Sequence, residues 1–336
     1  MADQMGRIAG KVSAEDVRQV NRKMLRKLKR NKGMRDKKEA RVFVIVDGHE
    51  VFCSDRKKCP RCLERTIETK KGEKIQYYHR IVMATLICGG EVYHLDAEMQ
   101  EGGEDEVACA VRCLECVIRD YGRSFDAVLA DGLYARAPFF KMCLRHGKGV
   151  MAVLKDDRRE VMKDAQGLME GMTADQWEED GVVYRCWDIE GFKSWDTMDG
   201  TPVRVVRTVE TRLVKRQLTK KVEMEITEWW WVTTISKETL SGPGVVTAGH
   251  RRWAIENEGF NELVNEWYAD HLYKHDTTAM LVIWLLLFVS YNLFHAFIRL
   301  NLKPQIRFGK TIRYWVDQIK ADFYTWPPGE IIPNTS

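Results

Sequence analysis

The sequence lacks the features that direct a chain out of the cell or into a repetitive assembly. Its first residues, MADQMGRIAGK, contain no apolar stretch of the kind that forms a secretory leader. It contains no internal repeat and no low-complexity tract. Its nine cysteines are an odd number, which does not fit a framework of disulfide bonds. We therefore expect a protein of a reducing, intracellular compartment.

Long uncharged runs are equally scarce, because only one segment is free of Asp, Glu, Lys and Arg over the length of a bilayer. It lies between Asp276 and Arg299 and is interrupted by Ser290, Asn292 and His295. A helix buried on all sides in a large soluble domain has the same composition as a membrane anchor. We expect the core helix, and hence no membrane partner.

Charge is unevenly distributed along the chain. The 336 residues carry a net charge of +4, but residues 1–41 hold 14 Lys and Arg against 5 Asp and Glu, which leaves 39 against 44 for the rest. Such a basic end suits a polyanionic partner. A helix N-cap signal at Ser13 and apolar residues at helical spacing from Val17 to Leu28 predict a short amphipathic helix there. Its basic side chains are candidates for phosphate contacts: Lys23, Arg26, Lys27 and Arg30. The alternative is a solvated tail.

Two buried strands are predicted to end at acids. The run RVFVIV is almost entirely β-branched or aromatic, as a strand buried on both faces is, and it stops at Asp47. The run FDAVLA has a similar character and stops at Asp131. A glycine follows each acid. The end of a central strand is a good position for a catalytic group.

The predicted elements of the first half occur in the order strand, strand, strand, helix, strand, helix, strand. This is the order of the ribonuclease H-like fold, a mixed α/β sheet flanked by helices. In that arrangement the first and fourth strands are neighbours, so Asp47 and Asp131 should meet at one edge of the sheet. Short alternating segments further along predict an antiparallel β insertion. The expected parts are a basic arm (1–41), the first part of the core (42–175), the insertion (176–245), the last core helices (246–302) and a C-terminal tail (303–336).

A third acid is predicted to lie on the apolar face of a helix that spans 250–275. Residues at spacings of three and four share that face: Trp253, Glu256, Phe260, Leu263 and Trp267. Because burying an unpaired charge is costly, Glu256 needs a partner. One candidate is an ion pair with Arg252. The other is a pair of Mg²⁺ or Mn²⁺ ions, about 4 Å apart, shared with Asp47 and Asp131.

Three blocks around these acids resemble the catalytic blocks of insertion-sequence DDE transposases. They are VDGHEVF around Asp47, LADGLYARAPFF around Asp131 and HRRWAIENEGFNELV around Glu256, with the β-rich insertion before the third. The resemblance covers residues 42–300. It implies a cut-and-paste transposase in which the three acids bind two Mg²⁺ (or Mn²⁺) ions, cleave DNA at transposon ends and transfer the 3′-OH to target DNA. The expected partners are double-stranded DNA and a second copy of the chain, and the expected compartment is the cytoplasm with its nucleoid, or the nucleus.

The third block departs from the family signature at two positions. The resemblance implies that Arg252 contacts DNA near the transposon end. However, the signature expects a Tyr where this chain has Gly249 and a Lys where it has Leu263. Neighbouring residues are candidates to replace those phosphate contacts: Arg251, Asn257 and Asn261. These departures leave a catalytically silent, transposase-derived DNA-binding protein as the alternative.

Cysteine and histidine form a second constellation. His49, Cys53, Cys59 and Cys62 give the pattern H-x3-C-x5-C-x2-C, which is sufficient for a tetrahedral structural zinc site. His79 competes with His49 for the fourth position. The alternative is that these are ordinary cysteines.

The pair His271 and His275 has the spacing of a zinc-binding helix pair. The Glu that a metalloprotease base requires is missing from the position between them. We therefore expect both histidines to be structural or to face DNA.

Overall fold

The computed structural model describes residues 2–31, 34, 41–70, 72–88, 90–155, 160–218, 220–253 and 255–325, and it gives residues 2, 3, 256–258 and 323–325 by their backbone alone. Within the basic segment 1–41, residues 32, 33 and 35–40 lie outside the described residues, as do the side chains of Glu256 and Asn257.

Ten strands occur within the described residues. They are β1 (Phe43–Ser54), β2 (Leu63–Thr69), β3 (Gly72–Cys88), β4 (Glu91–Met99), β5 (Ala127–Ala130), β6 (Gly149–Val153), β7 (Asp175–Glu179), β8 (Val182–Phe192), β9 (Val203–Lys215) and β10 (Val222–Thr233).

The α-helices of the same residues are α1 (Ala2–Ala9), α2 (Ala14–Arg30), α3 (Glu106–Tyr121), α4 (Ala137–Arg145), α5 (Glu160–Met169), α6 (Gly242–Arg251), α7 (Asn261–Asn265), α8 (Thr277–Asn301), α9 (Pro304–Arg307) and α10 (Ile312–Thr325). A π-helix, Ile255–Phe260, lies between α6 and α7.

The sheet is organised around β1. This strand pairs antiparallel with β3 and in parallel with β5. β4 lies antiparallel to β3, and β6 lies parallel to β5. The first and fourth strands of the predicted core are therefore neighbours, and the predicted ribonuclease H-like fold is confirmed. The sequence did not predict β2, which pairs with the first half of β3.

The β-rich segment continues this sheet. Strands β7 to β10 pair antiparallel in succession, and β10 pairs antiparallel with β6 through Trp231 and Val153. The order of neighbouring strands is β2-β3-β1-β5-β6-β10-β9-β8-β7, with β4 on β3. The antiparallel strands therefore extend the main sheet instead of forming a separate one.

Helices cover both faces of β1. Val44 and Val46 lie in the apolar cluster that includes α3, α4 and α5, whereas Phe43 and Ile45 lie in the cluster that includes α6 and α8. The four side chains are at most 4% exposed, and burying each one stabilises the fold by about 1.5–3 kcal/mol. Successive residues of a strand point to opposite faces, so a strand covered on both must be apolar at every position.

The apolar helix α8 is covered on all sides along residues 277–285 and on one side only from Leu286 onward. It contacts β4, α1 and α2, and residues such as Trp284 and Phe288 on that side are buried. The opposite side exposes apolar residues: Leu286, Leu293, Phe297 and Leu300. The prediction of a helix buried on all sides therefore holds for the first part of α8 and is wrong from Leu286 onward. By length and composition α8 could cross a membrane, and 39% of its most apolar window is buried.

A buried amide network joins α8 to α2 and β4. Asn292 donates through Nδ2 to Asn21 Oδ1 at 3.0 Å and to the carbonyl oxygen of His94 at 2.8 Å, and its Oδ1 accepts from the His94 N–H at 2.9 Å. Arg18 on α2 forms further ion pairs with Asp96 and Glu98 on β4. The part of the basic segment that forms α2 is therefore not a free arm, because this helix is docked on the core.

We predict that Asn292→Leu destabilises the protein. The leucine fills a similar volume, but the backbone N–H of His94 and the side-chain Oδ1 of Asn21 each lose a buried partner, which costs about 1–3 kcal/mol for each group. The measurement is the free energy of unfolding in urea. The control is Ser290→Ala on the same helix, since the exposed Ser290 hydroxyl donates only to the Leu286 carbonyl one turn earlier. Equal stability of the two variants would show that the network does not hold α2 on the core.

Candidate active site

Asp47 and Asp131 lie at the same edge of the sheet. The parallel ladder between β1 and β5 ends with Val46 opposite Ala130, and each acid is the next residue along the chain. Asp131 directly follows β5, as predicted. The prediction that the first strand stops at Asp47 is wrong, because β1 continues to Ser54 and Asp47 pairs with Met83 of β3. Neighbouring strands are about 4.8 Å apart. The two acids, which are far apart in sequence, are brought together as predicted.

Two cations face these carboxylates. Arg252 Nη1 lies 3.8 Å from Asp47 Oδ2, and Lys155 Nζ lies 3.0 Å from Asp131 Oδ1. Burial opposes ionisation of Asp131, but the Gly132 N–H, Lys155 and Arg252 outweigh it and hold the pKa of Asp131 below its ordinary value. Asp131 is therefore an anion at neutral pH. Its edge of the sheet can attract and hold positive charge.

The helix predicted for 250–275 is broken into parts. It consists of the end of α6, the π-helix and the short α7, followed by an irregular segment. Tyr268 adopts a left-handed conformation with φ of 57°, and the Ala269 N–H donates to the carbonyl of Leu263 at 2.9 Å, which closes the helix end. The prediction of one continuous helix is wrong. The left-handed position holds a tyrosine instead of the glycine or asparagine that usually occupies it.

The π-helix that carries Glu256 lies against the strands near Asp47. It contacts β1 and β4, and its Phe260 ring stacks on His49 of β1 with 4.8 Å between ring centroids. A π-turn inside helical structure occurs frequently at functional sites. The π-helix that carries Glu256 thus packs on the strand that carries Asp47, whereas the role of the Glu256 carboxylate stays a prediction.

Arg252 does not lie where a freely accessible DNA contact would. It is buried with 7% exposure, and it points towards the two acids. The alternative prediction paired it with Glu256; because the side chain of Glu256 is not described, that pairing stays a prediction. Among the described side chains, Arg252 forms an ion pair with Asp47. Arg251 is partly exposed and Asn261 is exposed. Their predicted DNA contacts stay predictions.

The two departures from the family signature have different physical causes, one steric and one electrostatic. A Cβ atom at Gly249 would lie 2.4 Å from Nε1 of Trp231, a side chain of β10 that is 1% exposed. The indole therefore leaves no space for a tyrosine at this position. Leu263 is completely buried, where a lysine would need a partner for its charge.

The basic residues proposed for DNA contact on α2 are accessible. Lys23, Arg26, Lys27 and Arg30 are all exposed. Arg26 also donates to the Asp120 carbonyl at the end of α3. The side of α2 away from the core therefore presents positive charge to solvent.

The cysteine and histidine cluster differs from the predicted set. Ligand atoms of Cys59, Cys62, His79 and His275 lie within 4.8 Å of one another. The predicted members His49 and Cys53 are not among them. Nε2 of His49 is instead 3.0 Å from Asp270 Oδ1, and Cys53 is an exposed residue whose Sγ is 3.7 Å from Arg65.

The pairing of β1 with β3 explains why His79 replaces His49 in this cluster. The pleat of β1 aims His49 at the π-helix, while the pairing of Cys53 with Tyr78 places His79 one residue further along β3, beside the CxxC turn. Spacing alone could not identify His275, because it reaches the cluster from a distant part of the chain. Burial lowers the pKa of His79 to about 4, so its imidazole is neutral at physiological pH.

Comparison with known proteins gives one informative result. A search of curated proteins found no match. Among solved structures, the NurA nuclease from Sulfolobus solfataricus is similar at 13% identity over 70% of this chain and 86% of that one. The TM-score of 0.30 is too low to show a shared fold or function. A family model described as transposase DDE domain matches residues 18–293, which span both acids, the β-rich strands and the π-helix. The chain therefore belongs to the family of transposase DDE domains.

Proposed function

We propose that this protein is a DNA transposase that cleaves phosphodiester bonds at transposon ends and joins the released 3′-OH to target DNA. The observation that carries the proposal is the ladder from β1 to β5, which sets Asp47 and Asp131 side by side on parallel strands. The π-helix with Glu256 packs on the same strand. Membership of the family supports the same chemistry.

The chemistry of the donors fits divalent metal ions. Carboxylate oxygens are the ligands that Mg²⁺ and Mn²⁺ prefer, and Asp131 is held in its anionic form. We propose Asp47, Asp131 and Glu256 as the ligands of two ions. When bound, such ions supply the charge that activates the attacking oxygen and stabilises the leaving 3′-oxygen.

The basic residues near the acids have a different task. Arg252 is buried beside Asp47 and Asp131, so it balances the charge of these carboxylates and fixes their orientation. Lys155 is 60% exposed beside Asp131 and can approach a phosphate. We propose Lys155 as a DNA contact near the cleavage site, in addition to Arg251, Asn257 and Asn261.

The exposed face of α2 binds the DNA duplex at a place separate from the reacting bond. Its lysines and arginines contact phosphates without reading bases. Transposition must bring two ends together, so we propose a homodimer on double-stranded DNA. Such a protein acts inside the cell, where its DNA substrate is.

We predict that Asp47→Asn and Asp131→Asn abolish cleavage while DNA binding persists. The substrate is DNA that carries the inverted repeats beside the coding region, assayed with Mg²⁺ and with Mn²⁺. The rate should fall roughly a hundredfold or more, the scale on which one charge-stabilising group acts in catalysis. The matched control is Asp126→Asn at the opposite end of β5, because an asparagine there can still accept from the Val42 N–H.

Cleavage by both site variants at the unmodified rate would remove the acids from the mechanism. DNA binding without cleavage by the unmodified protein, with either metal, would favour the catalytically silent DNA-binding protein instead. The causes found for the two departures, at Gly249 and at Leu263, are compatible with an active transposase and with a silent DNA-binding protein. The assay therefore decides between these two functions.

We also predict that replacing Lys23, Lys27 and Arg30 by glutamine weakens DNA binding equally for all sequences. Each lost phosphate contact should reduce the slope of log affinity against log salt by about 0.9. The measurement is binding to end DNA and to unrelated DNA between low and moderate salt. Lys163→Gln on α5 is the control, as this exposed lysine pairs with Glu160 on its own helix. An unchanged slope would exclude α2 from the interface.

A further inference from the structure

We infer that Cys59, Cys62, His79 and His275 together bind one structural Zn²⁺ ion. These residues come from three separate parts of the chain: the turn between β1 and β2, the middle of β3, and the segment just before α8. The proposed cleavage reaction does not use them. The inference does not depend on the proposed function.

The distances between the donor atoms match a tetrahedral zinc site. Cys59 Sγ lies 3.7 Å from Cys62 Sγ and 3.2 Å from His79 Nε2, and Cys62 Sγ lies 3.4 Å from Nε2 of both His79 and His275. With Zn–S bonds of about 2.3 Å and Zn–N bonds of about 2.0–2.1 Å, the edges of a tetrahedron measure roughly 3.3–3.8 Å. One ion at the centre can therefore reach all four atoms with small adjustments.

His79 gives an independent reason for a ligand. Its side chain is completely buried, its Nδ1 has no hydrogen-bond partner among the described residues, and its Nε2 faces the two cysteine sulfurs. Sulfur is a weak hydrogen-bond partner, so the sulfurs compensate poorly for the loss of water. A metal ion on Nε2 accounts for this burial.

The CxxC turn is already shaped for metal binding. The Cys59 N–H donates to Cys62 Sγ at 3.2 Å, and the Cys62 N–H donates to the Cys59 carbonyl at 3.1 Å. The first of these bonds brings the partial positive charge of an N–H group next to a sulfur that must be a thiolate to bind metal. Two thiolates and two imidazoles prefer Zn²⁺ to Mg²⁺, and a closed set of four protein ligands is typical of a structural site.

The ion would fasten the segment that follows the π-helix. His275 directly precedes Asp276, the N-cap of α8. Nearby contacts already join the same parts: Arg61 donates to Thr277 Oγ1 at 3.0 Å, and the His275 ring lies 4.3 Å from the ring of Phe52 on β1. Zinc would thus hold the chain on the C-terminal side of Glu256 against the strands β1 and β3.

The test is the zinc content of the purified full-length protein, measured by plasma mass spectrometry after dialysis against metal-free buffer. We expect one zinc per chain in the unmodified protein and close to none in Cys59→Ser, Cys62→Ser and His275→Ala. Matched controls change neighbours of the same type: Cys53→Ser, His49→Ala and His271→Ala. These controls, and Asp47→Asn, should each keep one zinc. Loss of zinc in His49→Ala with retention in His275→Ala would overturn the ligand set.

Cobalt replacement in the unmodified protein gives a second readout that does not need a folded variant. Protein prepared with Co²⁺ should show the visible bands of a tetrahedral ion and a charge-transfer band from thiolate to cobalt. A strong chelator should then lower the melting temperature of the unmodified protein but not that of His275→Ala. Absence of the thiolate band, or a zinc content far below one, overturns the proposal and leaves the cleavage assay unaffected.

Discussion

The parallel pairing of β1 with β5 is the constraint on which the rest of the structure depends. Residues 43–46 lie opposite 127–130 in register, and both strands are buried on both faces. A slip by one residue would turn each apolar side chain to the opposite helix layer. The register is therefore fixed by packing, and packing sets Asp47 beside Asp131. The hydrophobic core thus holds together two carboxylates that would otherwise repel each other.

The charges around the acids follow from that arrangement. Two carboxylates at one sheet edge repel each other, and Arg252 and Lys155 offset part of this repulsion. The proposed metal ions would offset the rest of this repulsion, and the carboxylates offer them the hard oxygen ligands that they prefer. The inferred zinc uses thiolates and imidazoles, so the two classes of ion do not compete for one site. The short segment from Glu256 to His275 would then join the proposed catalytic element to the proposed zinc site.

Local sequence patterns were sufficient for the buried parts of β1 and β5 and for the positions of Asp47 and Asp131 directly after them, since runs of β-branched residues before Asp-Gly carry their own signal. They did not predict β2 or the continuation of β1 to Ser54. They failed where distant contacts decide. The break of the helix at Tyr268 has no glycine to announce it. Docking of α2 depends on the amide of Asn292, which is 271 positions from Asn21. The histidine His275 meets Cys62 across 213 positions. None of these contacts has a periodicity that a single sequence can display.

Iron-directed cleavage of the protein backbone tests the shared metal site most directly. Fe²⁺ takes the place of Mg²⁺ and, with ascorbate and peroxide, cuts the chain close to the bound ion. We expect cuts near Asp47, Asp131 and Glu256 in the same molecule, all suppressed by excess Mg²⁺. Cuts near only one of the three acids, or cuts that Mg²⁺ does not suppress, would contradict a metal centre shared by all three.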